Sequence, residues 1–299
     1  MRDPGQMKPY YVKLLAGLPE MGVPVATVLH DRATTLATVE TTPGVHIADH
    51  GSLRHPRLLN TGIAYIYPFW NLDPWGIRAL SSIAAMTFDP AMVDAVAATA
   101  FATRLRKRLV AARISRYPQA GQVVDVPKGN IAVFLQSEAH RGVDETCHLS
   151  MRQMMAALIA RDDPRPIVVK PHPRDKDTQT RIYLAQLAAR DARLQVVDAN
   201  IHDILRCAAV AVTINSAVGI EAHLHKVPVV LCGRADFHHA AVTVADHHHM
   251  HAAIAKAEAT PWPHDAYLQW YFAEHCLNAG RRSLAADFLA KVAAFAPAG

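Results

Sequence analysis

The strongest constraint on this chain is a rhythm between residues 130 and 231. Short β-branched and apolar runs (Ile131–Leu135, Ile167–Val169, Leu194–Val197, Val210–Ile214 and Val229–Leu231) alternate with helical patterns near Glu145–Ala160, Gln179–Ala189, Ile201–Cys207 and Val218–His225. Runs that are apolar on both faces suit buried parallel strands, and strands alternating with helices at this spacing wind a parallel sheet. The expected class is therefore α/β, with ligands taken at the C-terminal edge of the strands.

The preceding half has a weaker version of the same pattern. A helix is expected over Tyr10–Leu18, ended by Pro19 and Gly22, then strands at Val23–Leu29, Val45–Ala48 and Ile63–Tyr67, which make a small, abbreviated layer. Within Y-P-F-W-N-L-D-P-W-G-I-R-A-L-S-S, Trp70 and Trp75 serve either as a stacking platform for a sugar ring or as an apolar plug. Asp89–Val110 reads as an alanine-rich helix with Asp89 as its cap and Pro90 at its first position. The basic residues from Arg104 to Arg116 suit a solvated face, or contact with anionic lipid. With Pro118–Lys128 as linker, the division expected is 1–120, 129–262, and a closing pair of helices over 263–299.

A net charge of +5 and a pI near 9.1 suit an anionic substrate or membrane surface, but the charge is too scattered for nucleic acid. Cys147, Cys207, Cys232 and Cys276 have no C-x-x-C spacing and read as small buried hydrophobes of a reducing cytosol. The opening residues lack an apolar segment, and no apolar run approaches ~18 residues, so neither a signal peptide nor a membrane span is expected. A cytoplasmic location follows as the expectation, with peripheral contact at the inner membrane face left open.

Two stretches carry chemistry. In I-V-V-K-P-H-P-R-D (Ile167–Asp175), a strand delivers Lys170, then His172 on a hook stiffened by Pro171 and Pro173, then Arg174. In T-I-N-S-A-V-G-I-E (Thr213–Glu221), a strand ends at Asn215 and Ser216 and a helix begins, so free N–H groups and a hydroxyl face an anion. Gly219 permits close approach of a ligand or neighbouring backbone, and Glu221 is placed to accept from ribose hydroxyls. His238, His239, His247, His248, His249 and His251 offer metal ligands, but adjacent side chains share one coordination sphere poorly, and a solvated or cleft-facing loop is the better reading.

These two stretches, the second continuing A-H-L-H-K-V-P-V-V-L-C-G, resemble the capsule polysaccharide biosynthesis proteins, and within them the retaining β-Kdo transferases. The pairing also echoes motifs of bacterial sialyltransferases. The resemblance covers residues 130–240 and extends loosely to Leu72–Ser82 and Tyr267–Phe272. It implies a GT-B architecture of two Rossmann-like domains with parallel sheets, the first abbreviated, and C-terminal helices crossing back. It also implies a CMP-activated ulosonic acid, Kdo, as donor and co-substrate, a glycan or glycolipid acceptor, and no metal or further cofactor.

By the resemblance, His172 meets the donor phosphate and helps the CMP group leave, Ser216 with Asn215 holds that phosphate, Lys170 and Arg174 add positive potential near the phosphate or the sugar carboxylate, and Glu221 faces the ribose. One of His238 or His239 is placed to touch the donor, while His30, Asp31, Asp49, His50 and His55 are acceptor-side candidates. Retaining members carry an acidic nucleophile after a strand ending in glutamine. Gln136 matches that glutamine, but the following loop departs from the pattern; Asp144 is the first choice and Glu138 the rival. Asp144 also suits the N-cap of the next helix.

Overall fold

The computed structural model describes residues 7–28, 31, 33–137 and 146–295. They form two compact units, one of residues 1–86 with 271–299 and one of residues 87–270. The alanine-rich helix thus belongs to the second unit, and the chain's last helix to the first.

In the first unit, helix α1 (Pro9–Glu20) runs past Pro19, which sits in its last turn, and α2 (Thr35–Thr41) follows. Strands β1 (His46–Asp49), β2 (Leu58–Ile63) and β3 (Phe69–Asp73) form a sheet completed by Leu277–Asn278. Only β1 and β2 run parallel; β3 is antiparallel to both of its neighbours, so this small sheet is mixed. The strand expected at Val23–Leu29 does not form: Val23–Val28 lies outside any strand, with Val25 and Val28 exposed. Pro24 removes a ladder donor there. Residues Ala64–Ile66, expected in a strand, instead make a buried turn in which Tyr65 has a positive φ of 63°. Trp70 is not a sugar platform. It is fully buried on β3 and stacked on Tyr10 of α1, with centroids 4.1 Å apart and planes at 6°. The closing helix Leu284–Phe295 packs on α1.

The second unit opens with a turn capped by Asp89, then α3 (Ala95–Leu109), capped by a second aspartate, Asp94, through the N–H groups of Val96 and Ala97. Strands β4 (Asn130–Phe134), β5 (Ile167–Lys170), β6 (Leu194–Val196), β7 (Ala208–Thr213), β8 (Val229–Leu231) and β9 (Val242–Thr243) form one sheet. Its order is β6-β5-β4-β7-β8-β9, and every pairing is parallel. Counted from β4 this is 3-2-1-4-5-6, the dinucleotide-binding order. The helices are α4 (Met151–Ile159), α5 (Thr178–Arg190), α6 (Ile201–Cys207), α7 (Ala217–Ala222), α8 (Met250–Ala259) and α9 (His264–Leu268).

Two of these helices differ from expectation. Helix α4 begins at Met151, where Ser150 and Gln153 form a reciprocal capping box, so Ser150 rather than Asp144 is its cap. Helix α8 occupies a stretch expected to be loop, because the Asp246-capped turn His247–His249 feeds an alanine-rich segment. Met154, Met155, Leu158, Val169, Val212 and Val230 are among the residues of the core beneath the sheet. No helix among the described residues is long and apolar enough to cross a membrane.

Candidate functional site

The strand order reverses direction between β4 and β7, and in open α/β sheets the crevice beyond the strand ends at that point takes the ligand. Gln136 follows β4 and Asn215 follows β7. They bond reciprocally: Gln136 Nε2–H donates to Asn215 Oδ1 at 3.1 Å, and the Asn215 N–H donates to Gln136 Oε1 at 3.1 Å. Asn215 Nδ2 also donates to the carbonyls of Arg234 (2.9 Å) and Thr146 (3.5 Å). Its side chain is thus spent joining three segments, so it positions the crevice and is not the phosphate donor expected. Glu138 and Asp144 lie outside the described residues, but Gln136 before them and Thr146 after them both bond to Asn215.

At the end of β5, Lys170 is buried, with Nζ 3.3 Å from the exposed carboxylate of Asp198. His172 is half-buried on the expected hook. The Arg174 N–H donates to His172 Nδ1 at 3.2 Å, which places the proton of the neutral ring on Nε2. Opposite, Ser216 caps α7: its Oγ accepts from the Val218 N–H, and its own N–H donates to Thr213 Oγ1 at 3.3 Å. Lys170, His172, Ser216 and Glu221 line one crevice.

Gly219 serves packing rather than a ligand. A Cβ there would lie 2.9 Å from the ring of Phe237, which is fully buried. Gly219→Ala is expected to cost about 1–3 kcal/mol through overpacking. Thermal denaturation checks this, and an unchanged melting temperature would count against it.

Glu221 is fully buried. Burial pushes its carboxyl up to about 8, against the lowering effect of the Ser115 hydroxyl, which donates at 2.9 and 3.1 Å, and of the Arg116 charge and N–H. Those donors belong to a segment the sequence reading missed. Residues 115–117, read as the end of a basic helical face, cross the crevice: Ser115 is bonded to Glu221, and the Tyr117 ring lies edge-on to His172 at 5.1 Å and 79°. The signal was R-Y-P, an aromatic and a cation fixed ahead of a proline. The other basic residues divide. Arg104, Lys107 and Arg108 are exposed, Arg106 binds Asp265 and the Leu224 carbonyl, and Arg113 binds Asp203 at 2.7 Å.

Just beyond α7, two histidine pairs clamp the turn His223–His225. His202 Nδ1 meets His225 Nε2 at 2.9 Å, and His223 Nδ1 meets His264 Nδ1 at 2.7 Å. Burial lowers all four, His225 and His264 to about 4 and His223 well below its usual range. His239 packs edge-on against Trp270, with His238 stacked on it. Among the described residues, one group has metal-ligand proximity, Asp246 with His247 and His248, on an exposed turn at the start of α8. A cation there opposes the helix dipole. The D-x-D spelled by Asp175-Lys176-Asp177 is a capping pair: Asp175 Oδ1 accepts from the Asp177 N–H, and Asp177 caps α5.

In the first unit, His30 lies outside the described residues and Asp31 caps a turn through the Ala33 N–H. Burial alone would raise Asp49, but bonds from His50 and Tyr11 and the charges of His50 and Lys8 hold it well below the carboxylate range. His55 Nδ1 accepts from the Arg57 N–H.

A Rossmann-type sheet with a cationic, hydroxyl-bearing crevice at its switch point, together with a smaller α/β unit in the same chain, defines a protein of GT-B-like fold. The chain belongs to the capsule polysaccharide biosynthesis protein family, whose profile it matches over residues 96–281. Among solved structures it is similar to KpsC of Thermosulfurimonas dismutans, beta Kdo 2,7 transferase. The identity is 14% over 88% of this chain and 87% of that one, with a TM-score of 0.55. It is also similar to the beta Kdo 2,4 transferase of the same organism's KpsC, at 15% identity over 70% of each chain and a TM-score of 0.46. No curated protein sequence matches the chain.

Proposed function

We propose that this protein is a glycosyltransferase that moves a CMP-activated ulosonic acid, Kdo, onto a glycan or glycolipid acceptor of a surface polysaccharide. The observation that carries the reading is the convergence of Lys170, His172 and Ser216 on one switch-point crevice, with buried Glu221 behind them. His172 Nε2–H and the Ser216 hydroxyl are donors suited to a nucleotide phosphate, Lys170 and Arg174 supply potential, and Glu221 takes the ribose. A buried carboxyl that stays protonated near neutrality donates as well as accepts, which suits a vicinal diol.

Asp144 or Glu138 serves as nucleophile or base. As nucleophile, the carboxylate attacks the anomeric carbon, and the bond to the CMP oxygen breaks with its electron pair leaving on the phosphate. The acceptor hydroxyl then passes its proton to water and displaces the carboxylate, so two inversions retain configuration. Anchoring of Gln136 and Thr146 to Asn215 supports this role for the intervening segment. The reaction as written draws on no metal and no cofactor beyond the CMP-sugar, at the cytoplasmic face of the membrane.

A thermal-shift panel tests the donor class. CMP at a hundredfold over its dissociation constant is expected to stabilise the protein by about 2.7 kcal/mol. Stabilisation by UDP or GDP sugars with none by CMP would replace this reading with a transferase of another donor. CMP binding without donor hydrolysis or transfer would indicate a non-catalytic nucleotide-sugar-binding subunit.

A further inference from the structure

Tyr117 is the centre of a stack that the phosphate-binding groups leave unexplained. Arg174 lies over its ring at 4.7 Å from the centroid and Arg116 at 5.4 Å, while His172 meets the ring edge-on. Two guanidinium groups brought to one ring repel each other, and cation–π attraction to a partly exposed tyrosine offsets little of that. Arg174 is exposed and forms no ion pair among those of the described residues. Arg174 thus presents a planar fork to which no described residue brings a paired carboxylate.

The phosphate has its own partners in Lys170, His172 and Ser216. The stack stands beside His172, on a segment whose other end is tied to Glu221 through Ser115. A ligand that fills both places carries two anionic groups a few bonds apart, one of them flat enough for a guanidinium fork.

We infer that Arg116, Tyr117 and Arg174 form a second anion subsite, which takes the carboxylate on the anomeric carbon of the activated sugar and so selects ulosonic acids from neutral sugars. Arg174 supplies the fork, Tyr117 packs against it, and Arg116 adds charge beside the same ring. This assignment rests on the donor reading above and deepens it.

The test compares CMP with a hydrolysis-resistant 3-fluoro analogue of CMP-Kdo by calorimetric titration. Wild type is expected to bind the analogue at least roughly tenfold more tightly than CMP. In Arg174→Ala that preference collapses, because the analogue loses at least roughly tenfold more affinity than CMP does; Arg174→Lys recovers only part of it, because an ammonium lacks the fork. Tyr117→Leu, which removes the ring and leaves both cations, lowers the preference less than Arg174→Ala. Equal affinity of wild type for the two ligands overturns the subsite and leaves the donor reading standing. An equal loss for both ligands in Arg174→Ala assigns the stack to the phosphate and also overturns it. If wild type binds neither ligand, the donor reading itself fails and takes the subsite with it.

Discussion

His172→Ala is expected to weaken CMP binding by roughly ten- to a hundredfold, the worth of one charge-assisted hydrogen bond in a partly dry site. The ring is positioned twice over, with its Nδ1 accepting from the Arg174 N–H and its plane set nearly perpendicular to that of Tyr117. Substitution therefore removes a donor already aimed rather than one that must be ordered on binding. Because His172 is half-exposed and lies beyond the end of β5, the melting temperature should move little. His172→Gln keeps a donor but not the imidazole edge, and should fall between wild type and alanine. Calorimetry with CMP reads the effect, and undiminished affinity in the alanine variant would remove His172 from the site.

The sheet was legible because its physics is local. Runs such as Ile167–Val169 are buried on both faces and have no polar residue to offer solvent. Helix boundaries were less so. Asp144 and Ser150 are both good caps, and only the reciprocal bonds of Ser150 with Gln153 decide between them. That His172, Ser216 and Glu221 share one crevice is legible because His172 follows a strand end, Ser216 caps a helix and Glu221 lies about a turn further along that helix. The task of Asn215 is not, since nothing in N-S-A-V-G shows that two carbonyls and Gln136 would claim its amide. Gly219 likewise gives no sign of Phe237, which packs against it from beyond β8. The crossing segment at Ser115–Tyr117 shows only R-Y-P in the sequence, because its partners Glu221 and His172 lie far along the chain.

Stability is expected to peak near pH 6.5 and to fall on both sides, through two opposed sets of buried groups. Glu221 has a folded value raised to about 8 from an ordinary 4.5, so the folded state holds its proton more firmly than the unfolded chain. Its contribution is fully present below 4.5 and is lost as pH rises through 8, on the order of 4–5 kcal/mol in all, with about 2 kcal/mol of that between pH 6.5 and 8. The histidines act in the other direction. His225 and His264 fall to about 4 from 6.5, with His202 and His223 lowered beside them, so the unfolded chain binds these protons first. Their contribution is complete above 6.5 and is lost as pH falls toward 4, about 3 kcal/mol for each pair. The charges around them set the balance. Arg113, Arg106, Arg206 and Lys226 disfavour protonation, while Asp203 and Asp265 favour it. Between pH 6.5 and 4.5 two histidine pairs outweigh one glutamate, which leaves a net loss of about 2 kcal/mol on the acid side. Urea denaturation from pH 4.5 to 8 should trace this dome. Glu221→Gln should flatten its alkaline limb, and His225→Gln with His264→Gln its acid limb. A profile that rises steadily to pH 8 would show that Glu221 is ionised in the folded protein, with Ser115 and Arg116 sustaining the charge.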